Sequence, residues 1–155
     1  MNRIGKVIYR CPEPVISRTL DIEKQGCEDP RIVPFENKYY IFYTGFDGAK
    51  IQEDENVRVV IAETTDFKTF KKIKQVGPDT QDKDAMIFPE KIGGKIVFLN
   101  RIFPSIQLAF FDDFEQFISP PKDYWINHLQ NLGRHPVVLP GFECDSKIIA
   151  PVPPP

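Results

Sequence analysis

The sequence predicts an all-β protein built of short antiparallel strands. Runs of aromatic and β-branched residues bounded by turn residues, the pattern of buried strands, lie at residues 39–46, 57–62 and 106–111. Gly93 and Gly94 separate two further predicted strands, residues 87–91 and 95–101, and adjacent glycines readily take the positive φ angles of a hairpin turn. Helical spacing is confined to residues 122–132, which we interpret as a short helix or surface turn packed over a sheet.

A repeat indicates how the strands are arranged. Asp66 and Phe67, which follow the second strand run, recur as Asp113 and Phe114 after the third run, 47 residues further on. A repeat near 50 residues that contains short antiparallel strands is typical of a β-propeller, in which each small sheet buries its faces against its neighbours. A β-sandwich is the competing interpretation of the same strands.

An acidic residue precedes the first strand run. Pro30 restricts Asp29 to an extended conformation and removes one backbone donor, so Asp29 is expected where the chain joins the sheet irregularly. There its carboxylate can face a cleft, which makes it a candidate catalytic acid. The alternative is a plain turn in which Asp29 pairs locally with Arg31.

Composition excludes several classes of function. A net charge of −2 over 155 residues gives no long-range attraction to nucleic acid or to anionic lipid. Neither an apolar run long enough to span a bilayer nor an apolar N-terminal signal is found, so we expect a cytoplasmic protein. Cys11, Cys27 and Cys144 lack paired spacing, which indicates isolated thiols and neither disulfides nor a metal site.

Several motifs together resemble glycoside hydrolase family 130, which contains β-mannoside phosphorylases and related β-mannosidases. In chain order they are Glu28-Asp29-Pro30-Arg31-Ile32, Lys38-Tyr39-Tyr40, Phe46-Asp47-Gly48, Lys83-Asp84-Ala85-Met86-Ile87-Phe88-Pro89-Glu90-Lys91-Ile92, Asn100-Arg101 and Lys147-Ile148. The resemblance implies a five-bladed β-propeller of four-stranded antiparallel sheets, of which this chain has room for two or three blades. We therefore expect a remnant N-terminal segment at residues 1–25 and an incomplete propeller at residues 26–155.

The family resemblance also implies an activity, the phosphorolysis or hydrolysis of β-mannosides. Phosphorolysis with inversion gives mannose 1-phosphate and a shortened sugar. Inorganic phosphate is then a co-substrate, and no cofactor is implied. Such a reaction needs one acid only, because phosphate is already an anionic nucleophile, whereas an inverting hydrolase uses two carboxylates.

Carried over motif by motif, the resemblance assigns roles to individual residues. Asp29 would be the general acid, and Asp47 would bind a mannose hydroxyl. Arg101, Lys91 and Arg58 would bind phosphate, which guanidinium and ammonium groups suit as hydrogen-bonding cations. Arg101 lies just beyond the apolar run at residues 96–99, a place where a surface charge is hard to explain.

Two further functions compete with an active phosphorylase or glycosidase. One is a catalytically inactive partial propeller that binds sugar weakly, self-associates or assembles with a complementary chain, because uncovered blade faces and strand edges invite pairing. Asn100, which stands where many family members have His, fits this alternative. The other is a β-sandwich binding module without chemistry, against which the repeat argues.

Overall fold

The computed structural model describes residues 7, 9–51, 54–134 and 136–138. Eight strands and two short α-helices follow one another in this part of the chain. They are β1 (Gly26–Phe35), β2 (Lys38–Ile51), β3 (Asp54–Thr64), β4 (Lys71–Val76), β5 (Lys83–Ile87), β6 (Ile96–Ile102), β7 (Ser105–Phe111), α1 (Phe114–Ile118), α2 (Tyr124–Gln130) and β8 (Pro136–Val138). Two single 3₁₀ turns, Asp21–Glu23 and Leu132–Arg134, complete the elements.

Strands β1 to β4 form the first sheet, blade 1, in the order β1-β2-β3-β4 with antiparallel neighbours. The predicted strands 39–46 and 57–62 are confirmed as parts of β2 and β3. Strand β1 was expected only as an irregular approach to the sheet, yet it pairs with β2 over most of its length. Its two prolines are tolerated because β1 is an edge strand, where a missing N–H breaks no ladder on its open side.

Strands β5 to β8 form the second sheet, blade 2, in the same up-and-down order. The predicted glycine hairpin is confirmed, since Gly93 (φ 58°) and Gly94 (φ 78°) turn the chain between the bridged residues Ile92 and Lys95. The strand predicted at residues 87–91 is wrong in its bounds, because β5 before this turn runs from Lys83 to Ile87. Pro89 lies just beyond it and has no N–H with which to continue the ladder.

The repeat seen in the sequence corresponds to the same hydrogen-bonded turn in both blades. The Asp66 carboxylate accepts the N–H of Thr69, three residues on, at 2.8 Å. The Asp113 carboxylate accepts the N–H of Gln116, also three residues on and also at 2.8 Å, and caps α1. The predicted helix within 122–132 is confirmed as α2. None of the helices in the described ranges is long and apolar enough to cross a membrane.

The main core lies between the two blades. It contains buried aromatic and aliphatic residues of β1 to β4 together with those of β5 to β7 and α1. Phe42 of blade 1 and Phe98 of blade 2 stack with ring centroids 6.2 Å apart, and Phe117 of α1 lies 5.2 Å from Phe98. Two four-stranded antiparallel sheets packed face to face through one apolar layer fit the predicted propeller blades and equally fit the β-sandwich considered beside them.

The opposite face of blade 1 is covered in part by the N-terminal segment, residues 14–25. Ile16, Leu20 and Ile22 pack there against the buried side chains of Ile41 and Tyr43. The first 25 residues therefore include a stretch that contributes apolar contacts to the first sheet.

The buried carboxylate of Glu23 links this segment to β2 and β4 by hydrogen bonds. Glu23 is fully buried and accepts hydrogen bonds from the backbone N–H groups of Thr19 and Leu20, at 2.7 and 2.9 Å. Its other oxygen accepts the Tyr43 hydroxyl at 2.7 Å and the Lys72 ammonium at 2.7 Å. Burial by itself would raise the pKa of Glu23, but the hydrogen bonds from Lys72, the backbone and Tyr43 lower it, so Glu23 is held as a carboxylate.

Candidate functional site

The candidate residues converge on one end of the two sheets. At this end β1 and β5 begin and β2 and β6 finish, as the pairing of Glu28 with Thr44 and of Lys83 with Arg101 shows. We call it the site end. The opposite end carries the β1–β2 and β5–β6 turns.

Asp29 lies at the site end, in a bulge of β1. The register of β1 against β2 shifts between Glu28 and Arg31, and Asp29 takes a positive φ of 51°. Aspartate tolerates this left-handed conformation better than most residues. The irregular backbone expected here is confirmed, whereas the extended conformation expected for Asp29 before Pro30 is wrong, because the bulge places Asp29 in the left-handed region. The Asp29 side chain is exposed at the bulge.

The local Asp29–Arg31 ion pair, the alternative considered from the sequence, is not what the structure contains. Arg31 Nη1 donates to the backbone carbonyl of Asp29 at 3.0 Å, which supports the bulge. Arg31 Nη2 pairs instead with Asp84 Oδ1 of blade 2 at 2.7 Å. The Asp29 carboxylate thus has no hydrogen bond or ion pair to any other described residue, and it is accessible to a ligand.

Asp84 joins the two blades at the site end. Its second oxygen, Oδ2, pairs with Nη1 of Arg101 at 2.8 Å, so one carboxylate bridges an arginine of β1 and an arginine of β6. Asp84 itself has a positive φ of 58° in a bulge of β5. Asp84 lies in one of the motifs that carry the family resemblance, but it was not among the predicted site residues.

Arg101 is held at a second point by Asp82, in the segment that connects the blades. The Arg101 backbone N–H donates to Asp82 Oδ1 at 2.9 Å. Burial raises the pKa of Asp82 to about 8, although the hydrogen bond and the charge of Arg101 act in the opposite direction. Asp82 is therefore mainly neutral at pH 7 and does not cancel the positive charge of the arginines.

Arg58 lies at the site end of β3 and is also nearly buried. Its Nε and Nη2 atoms donate to Asp79 Oδ1 at 3.3 and 3.2 Å, and its Nη1 donates to the Val57 carbonyl at 3.0 Å. Strand β3 pairs Arg58 with Gly45, two residues before Asp47. Arg58 therefore shares the site end with Asp29 and Arg101, as the sequence predicted.

Asp47 lies at the same end, in the part of β2 where the register against β3 shifts. Its Oδ1 accepts the N–H of Ala49 at 2.8 Å, and its Oδ2 accepts the amide of Asn56 at 2.6 Å. These contacts fix the carboxylate in one orientation. Each oxygen keeps a further lone pair that can accept a hydroxyl.

Lys91 is not brought to this cluster. It is exposed beside the β5–β6 turn, and its Nζ donates to the backbone carbonyl of Asp112 at 3.2 Å. That turn lies at the far end of β6, and at about 3.4 Å per residue the six steps from Lys95 to Arg101 span about 20 Å. Lys91 therefore lies at the opposite end of blade 2 from Arg101.

Two buried amides lie next to Arg101 in blade 2. Asn100 and Gln107 face each other across β6 and β7 and are almost completely buried. Within the described residues, both polar atoms of the Asn100 side chain and Oε1 of Gln107 lack a hydrogen-bond partner. Buried polar groups in proteins are rarely left unpaired, so this position calls for bound water or a ligand oxygen.

Comparison with known proteins indicates the family to which the chain belongs. The profile of glycoside hydrolase family 130, described as beta-1,4-mannooligosaccharide phosphorylase, matches residues 5–143. A 1,2-beta-oligomannan phosphorylase of Thermoanaerobacter sp. (strain X514) is 37% identical over 143 residues, which is 88% of this chain and 47% of the relative. A beta-1,2-mannobiose phosphorylase of the same organism is 38% identical over 100 residues, which is 64% of this chain and 32% of the relative.

A solved structure agrees in fold. The beta-1,2-mannobiose phosphorylase from Listeria innocua, determined with beta-1,2-mannobiose, superposes with a TM-score of 0.55 over 66% of this chain and 29% of that chain, at 23% identity. The chain thus spans about half of the first relative and about a third of the second. Family 130 proteins are five-bladed propellers, and the two sheets described here are two such blades. Since the family profile covers most of the sequence, the chain belongs to glycoside hydrolase family 130.

Proposed function

We propose that this chain supplies two blades of a propeller that carries out the phosphorolysis of β-mannosides. The observation that carries the proposal is the arrangement at the site end. There an exposed carboxylate, Asp29, lies in a positive-φ bulge near two arginines that Asp84 holds. The family and the names of both relatives support the same reaction.

In this reaction a phosphate oxygen attacks the anomeric carbon of mannose from the side opposite to the glycosidic oxygen. The bond from the anomeric carbon to that oxygen breaks, and the leaving oxygen takes a proton from the Asp29 carboxyl group. The products are mannose 1-phosphate and the shortened sugar, and Asp29 ends as a carboxylate.

Arg101 and Arg58 are the proposed phosphate ligands. Both lie at the site end, and the fork of a guanidinium group can bind two phosphate oxygens at once. Lys91 lies at the far end of blade 2, so its position does not support a role as a third phosphate ligand. Asp47 is the proposed acceptor for a mannose hydroxyl, with its orientation fixed by Ala49 and Asn56.

The test is to incubate the chain with β-1,2-mannobiose and, separately, with β-1,4-mannobiose, each with and without inorganic phosphate. We expect mannose 1-phosphate from at least one disaccharide, and only when phosphate is present. Free mannose released without phosphate would identify a hydrolase instead. An absence of any product from the chain, also at high protein concentration, would contradict the proposal for these two blades by themselves.

We also propose that the chain self-associates through the open part of blade 1. An apolar groove of about 340 Å³ lies there, lined by the N-terminal segment and by Ile32, Phe67 and Phe70. Ile32 and Phe67 are each about half exposed. A second copy is the occupant we favour, because a net charge of only −2 offers little repulsion between copies.

A further inference from the structure

Asp84 joins two arginines that come from different blades. Arg31 on β1 reaches one of its oxygens at 2.7 Å, and Arg101 on β6 reaches the other at 2.8 Å. The three side chains are only 13%, 9% and 9% exposed. Charged hydrogen bonds that exclude water are short and directional, so this contact sets where both guanidinium groups point.

We propose that Asp84 is a positioning residue that holds Arg31 and Arg101 together as one binding pair for a phosphate anion at the site end. The inference rests on the proposed function only for its choice of phosphate. Asp84 itself does not touch the ligand and acts through the two arginines.

Arg101 shows how the positioning operates. The Asp82 carboxyl group accepts a hydrogen bond from the backbone N–H of Arg101, and the Asp84 carboxylate pairs with one guanidinium nitrogen. Arg101 is therefore held both at its backbone and at the end of its side chain. A guanidinium group carries five N–H donors, and the contact with Asp84 leaves others able to reach a second anion. Phosphate binding then requires little further ordering of the Arg101 side chain, and the smaller loss of conformational entropy favours affinity.

The backbone at Asp84 makes a clean substitution available. Its φ of 58° is a left-handed conformation, which asparagine tolerates as well as aspartate does. Asp84→Asn therefore keeps the shape and the backbone preference and removes the negative charge that orients both arginines. Asp84→Glu keeps the charge on a side chain that is longer by one methylene group.

The direction in which phosphate affinity changes in Asp84→Asn distinguishes a positioning role of Asp84 from simple charge balance. If Asp84 only offset the arginine charges, its neutralisation would make the site more positive, and phosphate would bind more tightly. If Asp84 positions the arginines, its neutralisation frees them and phosphate binds more weakly. We expect weakening by about tenfold to a hundredfold, the loss that corresponds to one or two charged hydrogen bonds.

The experiment measures inorganic phosphate binding to the full chain by calorimetric titration or ³¹P NMR, without turnover. We expect the dissociation constant to rise for Asp84→Asn and to recover at least in part for Asp84→Glu. Asp112→Asn, which removes an exposed carboxylate at the other end of blade 2, is the matched control and should bind phosphate as the wild type does. Where turnover is measurable, KM for phosphate should rise for Asp84→Asn while KM for the mannoside stays within about threefold.

Unchanged or tighter phosphate binding by a folded Asp84→Asn chain would overturn the proposal, as would a wild-type chain that binds no phosphate. Phosphate binding without any phosphorolysis would contradict the proposed function and leave this inference standing. If the Asp84→Asn chain does not fold, an NMR titration of the wild-type chain with phosphate tests the proposal instead. Added phosphate should shift the guanidinium NMR signals of Arg31 and Arg101 together, and a shift of neither or of one alone would contradict the pair.

Discussion

Asp29 and Asp84 hold the same place in successive blades. They are 55 residues apart, and each lies at positive φ in a bulge of the first strand of its sheet. Their surroundings differ, because both oxygens of Asp84 are taken by arginines whereas the Asp29 carboxylate is exposed. The same backbone conformation thus presents an exposed carboxylate in blade 1 and a carboxylate that bridges two arginines in blade 2.

Replacement of Asp29 tests the acid directly. Asp29→Asn should lower kcat of any β-mannoside phosphorolysis by about 10²- to 10⁴-fold, the usual contribution of general acid catalysis. The fold should persist, since asparagine accepts a φ of 51° and the Asp29 backbone carbonyl still accepts Arg31. Circular dichroism and steady-state kinetics measure the two effects, and turnover near that of the wild type would exclude Asp29 as the acid.

Arg101 and Lys91 form a matched pair of cations at opposite ends of blade 2. Arg101→Ala should weaken phosphate binding far more than mannoside binding, because it removes a guanidinium at the site end. Lys91→Ala should leave both unchanged, because Lys91 contacts only Asp112 among the described residues. Dissociation constants for phosphate and for a β-mannoside provide the comparison. Equal losses for the two ligands in Arg101→Ala would indicate a structural role.

The buried Asp82 predicts how stability depends on pH. Its pKa is about 8 in the folded chain against an ordinary value of 3.8, so between these limits the unfolded chain releases a proton that the folded chain keeps. Its contribution to the free energy of unfolding is therefore fully present below about pH 4 and is lost as pH rises through about 8. Asp82→Asn keeps the acceptor for the Arg101 N–H and removes the titration.

Urea denaturation at several pH values gives the measurement. The difference in unfolding free energy between wild type and Asp82→Asn should fall by up to about 1.4 kcal/mol per pH unit across this window. Parallel curves for the two proteins would show that Asp82 does not titrate abnormally.

The buried Glu23 predicts a large loss of stability on neutralisation. Glu23→Gln should cost about 3–5 kcal/mol, because the Lys72 ammonium is left without its charged partner in a mostly buried position. The control is Glu63→Gln, whose partners Lys38 and Lys71 are much more exposed and whose loss should cost less than about 1 kcal/mol. Chemical denaturation compares the two variants, and similar costs would contradict the assignment of Glu23 as the fastening point.

The elements that the sequence predicted are those whose pattern is local. The interiors of β2, β3 and β7 are dense in aromatic and β-branched residues, and the glycine pair fixes the β5–β6 turn. The Asp66 and Asp113 turns were recognised because each depends on a carboxylate three residues before the N–H that it accepts.

What the sequence did not predict depends on contacts between distant residues. Strand β4 contains three lysines and a glutamine, and it exists because Ile73 and Val76 pack into the inter-blade core at a sheet edge. The Arg31–Asp84–Arg101 bridge joins two blades, and no spacing along the chain encodes it. Lys91 was placed near phosphate by its motif, whereas the turn beside it carries it to the far end of the blade.

Self-association follows from the open face of blade 1. Ile32 and Phe67 border the apolar groove, and β1 is the edge strand of its sheet, so both apolar surface and unpaired backbone groups are available there. Ile32→Lys should reduce association, because a charge in the groove opposes burial against a second copy. The control is Ile126→Lys, which changes an exposed residue of α2 outside the groove. Sedimentation velocity at micromolar concentration measures the association, and a wild-type chain that is strictly monomeric would contradict the prediction.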